Sequence, residues 1–259
     1  MQTTDDKNIR RIDPLYTTDI YYSYFDHGQT AVNVPYGDGT GHKFELLKRY
    51  EDPKTGFVGA SFINKEDGHA ILLYKGMDVP FSDQGGGRFR FLKDIWTIAQ
   101  SHLSGESAQQ TKADEAYLET RNNPAVKDME VAGFSMGTIF TNHVAAKYGA
   151  KGTVFADLGI ADSTLEEIFN QQAHGSKPVG VHPAYVLNEM EDQMRDNVVV
   201  LKMKADLLPR IFALGPSRGR SVDLDAGPKA DPDGIHHSAG IYLGQAEKID
   251  PLGLRPVPA

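Results

Sequence analysis

Cysteine is absent from all 259 residues, and tryptophan occurs once. Without cysteine the chain can form no disulfide, no thiolate metal site and no thiol nucleophile. Long apolar runs are missing too: no stretch approaches the roughly 18 consecutive apolar residues of a membrane-spanning helix. There is no run of lysine or arginine, and the formal charge of −8 opposes broad electrostatic attachment to nucleic acid or anionic lipid. The opening MQTTDDKNIRRIDP has no apolar h-region, so a secretory signal peptide is not expected there. The absence of a leader and of cysteine fits a cytoplasmic protein, or one exported without a signal peptide.

What is present is ordinary for a soluble globular chain, with 40% hydrophobic and 24% charged residues. A chain of this length buries a sizeable core within one large α/β domain. It contains no repeat of fixed period and no low-complexity linker, so a single domain over residues 1–259 is expected. Residues 1–48 read as an irregular N-terminal extension, carrying the aromatic cluster IYYSYF (Ile20–Phe25) and the glycine-rich turn PYGDGTGH (Pro35–His42).

Beyond it, strand and helix patterns alternate. Gly56–Asn64 and His69–Gly76 read as two strands joined by the turn KEDG. Arg90–Leu103 and Gly105–Arg121 have helical character, and Asn122, Asn123 and Pro124 end the second. Met129–Phe134 is a short apolar strand, followed by a helix over Ser135–Gly149. Gly152–Ile160 reads as a strand. Asp162–Gln172 reads as a helix with a capping box at Ser163-x-x-Glu166, and Pro183–Asp196 as a helix with proline in its first turn. Asn197–Lys204 is a further strand, after which Gly, Pro and Asp dominate. This alternation predicts a mainly parallel sheet with helices on both faces.

Within it, Gly133-Phe134-Ser135-Met136-Gly137 matches G-x-S-x-G between a strand and a helix. That setting is what a nucleophile elbow requires, with glycines where strand and helix backbones approach closely. Ser135 also suits an ordinary helix N-cap. A serine hydroxyl needs a general base, and in a fold of this kind the chain order is serine, acid, histidine. His143 lies two turns along the elbow helix, facing away, and His174 and His182 come before the last strand. His236 and His237 follow it, and neighbours in an extended stretch point to opposite sides, so one of the two is the base. For the acid, Asp206 just after a strand's C-terminal end is the first choice and Asp157 the second.

These segments resemble the class 3 lipases, an α/β-hydrolase family of triacylglycerol lipases and phospholipases, from about Tyr50 to the end of HHSAGIYLG. TGFVGASFINKEDGHAILLYKG is similar to the family's opening hairpin, KDIWTIAQ to its Asp-Trp segment and VAGFSMGT to its elbow. DLLPRIFALG resembles the segment carrying the acid, and HSAGIY the terminal histidine motif. The resemblance therefore selects Asp206 over Asp157 and His237 over His236. It departs from the family at the elbow, where Phe134, Met136 and Thr138 stand in place of His, Leu and a second Gly. At the oxyanion loop, Lys75 and Met77 leave no side-chain hydroxyl.

The resemblance implies an α/β-hydrolase fold and a serine hydrolase cleaving lipid esters, as a lipase or a phospholipase of the A type. Ser135 would be the nucleophile, His237 the base and Asp206 the orienting acid. The backbone amides of Met77 and Met136 would form the oxyanion hole. No metal and no cofactor are required. The expected partner is a lipid or other ester, with transient contact to a membrane surface and no nucleic acid. Val79–Phe91, with three glycines and three aromatics, is a candidate lid. Competing readings are a soluble short-chain carboxylesterase or thioesterase, and a catalytically weak hydrolase-like binding module. The glycine-rich calcium repeats of certain exported lipases are absent, while some phospholipase effectors share the lack of a leader.

Overall fold

The computed structural model describes residues 14–35, 41–76, 108–172, 183–203 and 213–224. Their strands β1 (Ala31–Pro35), β2 (Gly41–Asp52), β3 (Phe57–Ile63), β4 (His69–Tyr74), β5 (Asp128–Phe134), β6 (Lys151–Phe155), β7 (Val198–Met203) and β8 (Arg220–Leu224) form one sheet, in that spatial order. β1 to β4 pair antiparallel, and β4 to β8 run parallel. The helices are α1 (Pro14–Phe25), α2 (Ala108–Arg121), α3 (Gly137–Tyr148), α4 (Asp162–Gln172) and α5 (Pro183–Asn197).

β4 shows why both faces are covered, since every one of its residues is buried. Ile71 and Leu73 pack with Ile20, Tyr21 and Tyr24 of α1 and with Leu201 of β7. Leu72 and Tyr74, pointing to the other side as strand geometry demands, pack with Ala113 and Tyr117 of α2 and Phe140 and Val144 of α3. Further along that second face, Val154, Val198 and Val200 meet Leu165 and Ile168 of α4 and Met190 and Met194 of α5. The architecture is α/β, a mixed sheet, parallel from β4 to β8, with helices on both faces. Among the described residues no helix is long and apolar enough to cross a membrane.

The structure corrects the reading of residues 1–48 as irregular. Residues 14–25 are helical, and β1 and β2 extend the sheet beyond the hairpin. IYYSYF is rich in aromatic residues, which lose side-chain freedom in a helix, so propensity argues against one. Packing of Ile20, Tyr21 and Tyr24 into the core overrides it. Other differences are local. The strand expected to reach Ile160 stops at Phe155, because Ala156 turns to φ 56°. Helix α4 begins at Asp162, which places Ser163 inside its first turn rather than at a cap. The chain after β7 contributes another strand, β8, in which only Val222 and Leu224 are buried. Arg90–Leu103 and the candidate lid, residues 79–91, lie outside the described residues.

Candidate active site

Strand β5 enters the core between β4 and β6, with Gly133 level with Tyr74 and Phe134 level with Phe155. One residue later the chain reverses. Ser135 sits at φ 53°, in the left-handed region that a non-glycine residue enters only at a cost of about 1–3 kcal/mol. Several contacts hold it there. Its amide donates to the Phe155 carbonyl at 3.1 Å, and its own carbonyl accepts from the Thr138 amide at 3.0 Å and from Thr138 Oγ1 at 2.6 Å. α3 then starts at Gly137 with its N-cap position on Met136, which has helical dihedrals and makes no side-chain cap bond. The cap thus falls one residue beyond Ser135, and the N-cap alternative for this serine loses its position.

The two glycines of the motif have separate steric reasons. A Cβ on Gly133 would stand 2.4 Å from the Gly137 carbonyl oxygen, so the strand passes against the first turn of the helix. One on Gly137 would stand 2.1 Å from the carbonyl oxygen of Tyr74, so the helix start rests on the end of β4. The segment after β4 approaches as closely. A Cβ on Gly76 would lie 2.7 Å from the Phe134 carbonyl oxygen and 3.3 Å from Ser135 Cβ. Three backbone segments therefore converge on a half-buried serine at the N-terminal end of a helix. The first amides of a helix have no partner within it, and the helix dipole favours negative charge at that end. Met136, the expected oxyanion donor, is the residue at that position.

The loop after β6 braces the elbow from the other side. Thr138 Oγ1 accepts the Leu158 amide at 3.2 Å. Asn142 Nδ2 donates to Asp157 Oδ1 at 2.9 Å, and the same oxygen accepts the Gly159 amide at 3.0 Å. The second choice for the acid, Asp157, thus ties α3 to the β6 loop. Its other oxygen is buried without a hydrogen-bond partner among the described residues. Leu214 donates its amide to the Leu158 carbonyl at 2.7 Å, and Ile160 its amide to the Pro216 carbonyl at 3.2 Å. The tail of the segment that begins at Asp206 is in this way fastened to the loop beside the elbow.

His143 belongs to a different arrangement on the far side of α3. Its Nε2 lies 3.1 Å from Asp114 Oδ1, and Lys147 Nζ donates to the other oxygen at 2.5 Å. Burial pushes the Asp114 carboxyl up, but the hydrogen bonds and charges of His143 and Lys147 outweigh it and hold the group below its ordinary value. Of the expected catalytic set, Ser135 and Met136 are therefore located. Met77, Asp206, His237 and the alternative His236 lie outside the described residues, as do His174 and His182. Among the described residues no group of three or more His, Asp or Glu side chains is placed to hold a metal ion.

Sequence reasoning misses Tyr21, Thr138 and Asn142. Thr138 carries a signal, since it stands where the class 3 lipases that the elbow resembles usually have a second glycine. Phe134, in place of the usual histidine, has its ring 5.3 Å from Phe155 and 5.9 Å from Tyr21, so an aromatic cluster fills the space behind the elbow.

No family model and no curated protein matches the chain. Solved structures similar to it include a triacylglycerol lipase from Penicillium expansum, with 10% identity and a TM-score of 0.42, covering 82% of this chain and 78% of that one. An MDLA mutant from Penicillium cyclopium has 13% identity and a TM-score of 0.38, covering 84% and 78% respectively. Lip2 lipase from Yarrowia lipolytica has 12% identity and a TM-score of 0.35, covering 83% and 80%.

Proposed function

We propose that the chain is a serine hydrolase of carboxylic esters, acting on lipid esters as a lipase or an A-type phospholipase. The observation that carries this reading is Ser135 at φ 53° on a strand–helix turn, with the Gly76 backbone against it. Such strain persists only where the surroundings enforce it, and here the motif's glycines, Thr138 and the Phe155 carbonyl all do so.

In this mechanism Ser135 Oγ attacks the ester carbonyl carbon while His237 takes the hydroxyl proton. The C–O bond to the alcohol then breaks, and His237 returns the proton to the leaving oxygen. Water, deprotonated by His237, attacks the acyl-enzyme and regenerates Ser135. Asp206 orients the imidazole and stabilises its charged form. The amides of Met136 and Met77 hold the oxyanion, each worth about 10²–10³ in rate. The placement of Asp206 three residues after the last residue of β7 supports its role, because α/β sites gather at the C-terminal ends of parallel strands.

The test is a fluorophosphonate probe followed by a lipid panel read by mass spectrometry, each with wild type and Ser135→Ala. The wild type should label on Ser135 and release fatty acid, and the variant should do neither. Failure of the wild type to label would instead favour a hydrolase-like binding module. Cleavage of short-chain esters without lipids would move the substrate class to a soluble carboxylesterase.

A further inference from the structure

α1 meets the segment after β4 through the hydroxyl of Tyr21. Tyr21 is buried, at 3% exposure, with its ring edge-on to Phe155 at 5.1 Å and against Phe25 at 4.7 Å. Its hydroxyl oxygen accepts the amide of Gly76 at 3.0 Å. Gly76 is the residue whose missing side chain lets the post-β4 segment lie against Phe134 and Ser135. It also immediately precedes Met77, the expected second oxyanion donor.

We propose that Tyr21 is a positioning residue for the oxyanion loop, an inference that rests on the hydrolase reading above. β4 ends at Tyr74, and the Lys75 amide, which donates to the Val58 carbonyl at 3.0 Å, is the last sheet-like bond of the strand. Gly76 brings no side chain to fix itself, and at the point where the chain leaves the strand its amide donates to the Tyr21 hydroxyl. The ring is fixed in turn by Phe155 and Phe134, the residues level with each other on β6 and β5 directly before and beside the elbow. Serine and oxyanion loop are therefore referenced to one aromatic cluster. An oxyanion donor acts through where it stands, and a displacement of about 1 Å can cost roughly 10²-fold in rate.

The experiment compares wild type, Tyr21→Phe and the packing control Ile20→Val on a p-nitrophenyl ester and the fluorophosphonate probe. Tyr21→Phe keeps the ring and removes only the hydroxyl. It should lower kcat and the labelling rate together, roughly 10- to 100-fold, with KM little changed. The Gly76 amide should exchange with solvent faster in this variant. Ile20→Val, which loosens the packing of α1 but leaves Tyr21 and its hydroxyl, should lower the melting temperature and keep kcat. Full kcat in a folded Tyr21→Phe, or an equal loss in Ile20→Val, would overturn the positioning role. If the wild type itself does not label, the hydrolase reading falls. Labelling of wild type on Ser135 with an unaffected Tyr21→Phe removes this inference alone.

Discussion

Gly137 lies so close to β4 that an added Cβ would stand 2.1 Å from the carbonyl oxygen of Tyr74. The obstacle is backbone on both sides, with no flexible side chain to give way. Gly137→Ala should therefore push the start of α3 away from the sheet and destabilise by at least the 1–3 kcal/mol typical of overpacking. A urea titration checks this. Gly41, at the start of β2, has nothing within 4 Å of where a Cβ would stand and serves as the control that should tolerate alanine. An unchanged midpoint for Gly137→Ala would mean that the helix start is not pinned against β4.

Ser135→Ala should abolish ester turnover with little change in stability, since the cap position is Met136 and no cap is lost. The residue's φ of 53° adds a second expectation. Glycine occupies that region without the steric cost, whereas alanine bears the same strain as serine. Ser135→Gly should therefore melt above Ser135→Ala, while both are inactive. The reverse order in a thermal melt would show that the turn is not strained, and turnover by either variant would end the role of Ser135 as nucleophile.

That strain marks where the sequence stops being legible. The elbow, the sheet class and most helices follow from period and turn residues, because each of those signals is local. Ser135 and Ala156 adopt positive φ without being glycine, and nothing in their chemistry announces it. The early end of β6 is hidden for that reason. α1 is hidden because its aromatic residues are helical only when Tyr21 and Tyr24 find a sheet to pack on. β8 has a five-residue span with two buried side chains in a stretch rich in turn formers, so its pairing with β7 decides it. Tyr21 reaches the candidate site by the same long-range route, and its bond to Gly76 spans residues 55 apart in the chain.

The histidine and acid assignments make separable predictions. His237→Ala should be as damaging as Ser135→Ala, with little further loss on combining them, because triad members act as a unit. His236→Ala should be mild. Asp206→Asn should cost roughly 10⁴ in turnover with the fold intact. Asp157→Asn should cost far less, since an amide oxygen can still accept the Asn142 and Gly159 donors that now share Asp157 Oδ1. Steady-state kinetics on a p-nitrophenyl ester measures all four variants. A large loss in Asp157→Asn with a small one in Asp206→Asn would exchange the two roles.

The last prediction concerns stability against pH, through the cluster behind α3. Asp114 is buried and holds His143 and Lys147, and its folded-state pKa lies below the ordinary carboxylate value. A depressed carboxyl contributes stability that is fully present above the unfolded-state pKa of about 3.9, and that is lost as pH falls through the folded value. Asp114→Asn leaves His143 and Lys147 facing a neutral group and should destabilise at pH 7 by on the order of 3 kcal/mol. The gap between wild type and variant should narrow below about pH 4, as the wild type loses the contribution the variant never had. Urea unfolding across that range measures the gap. A difference that widens below about pH 4 would mean the carboxyl is held protonated by burial instead of ionised by its partners.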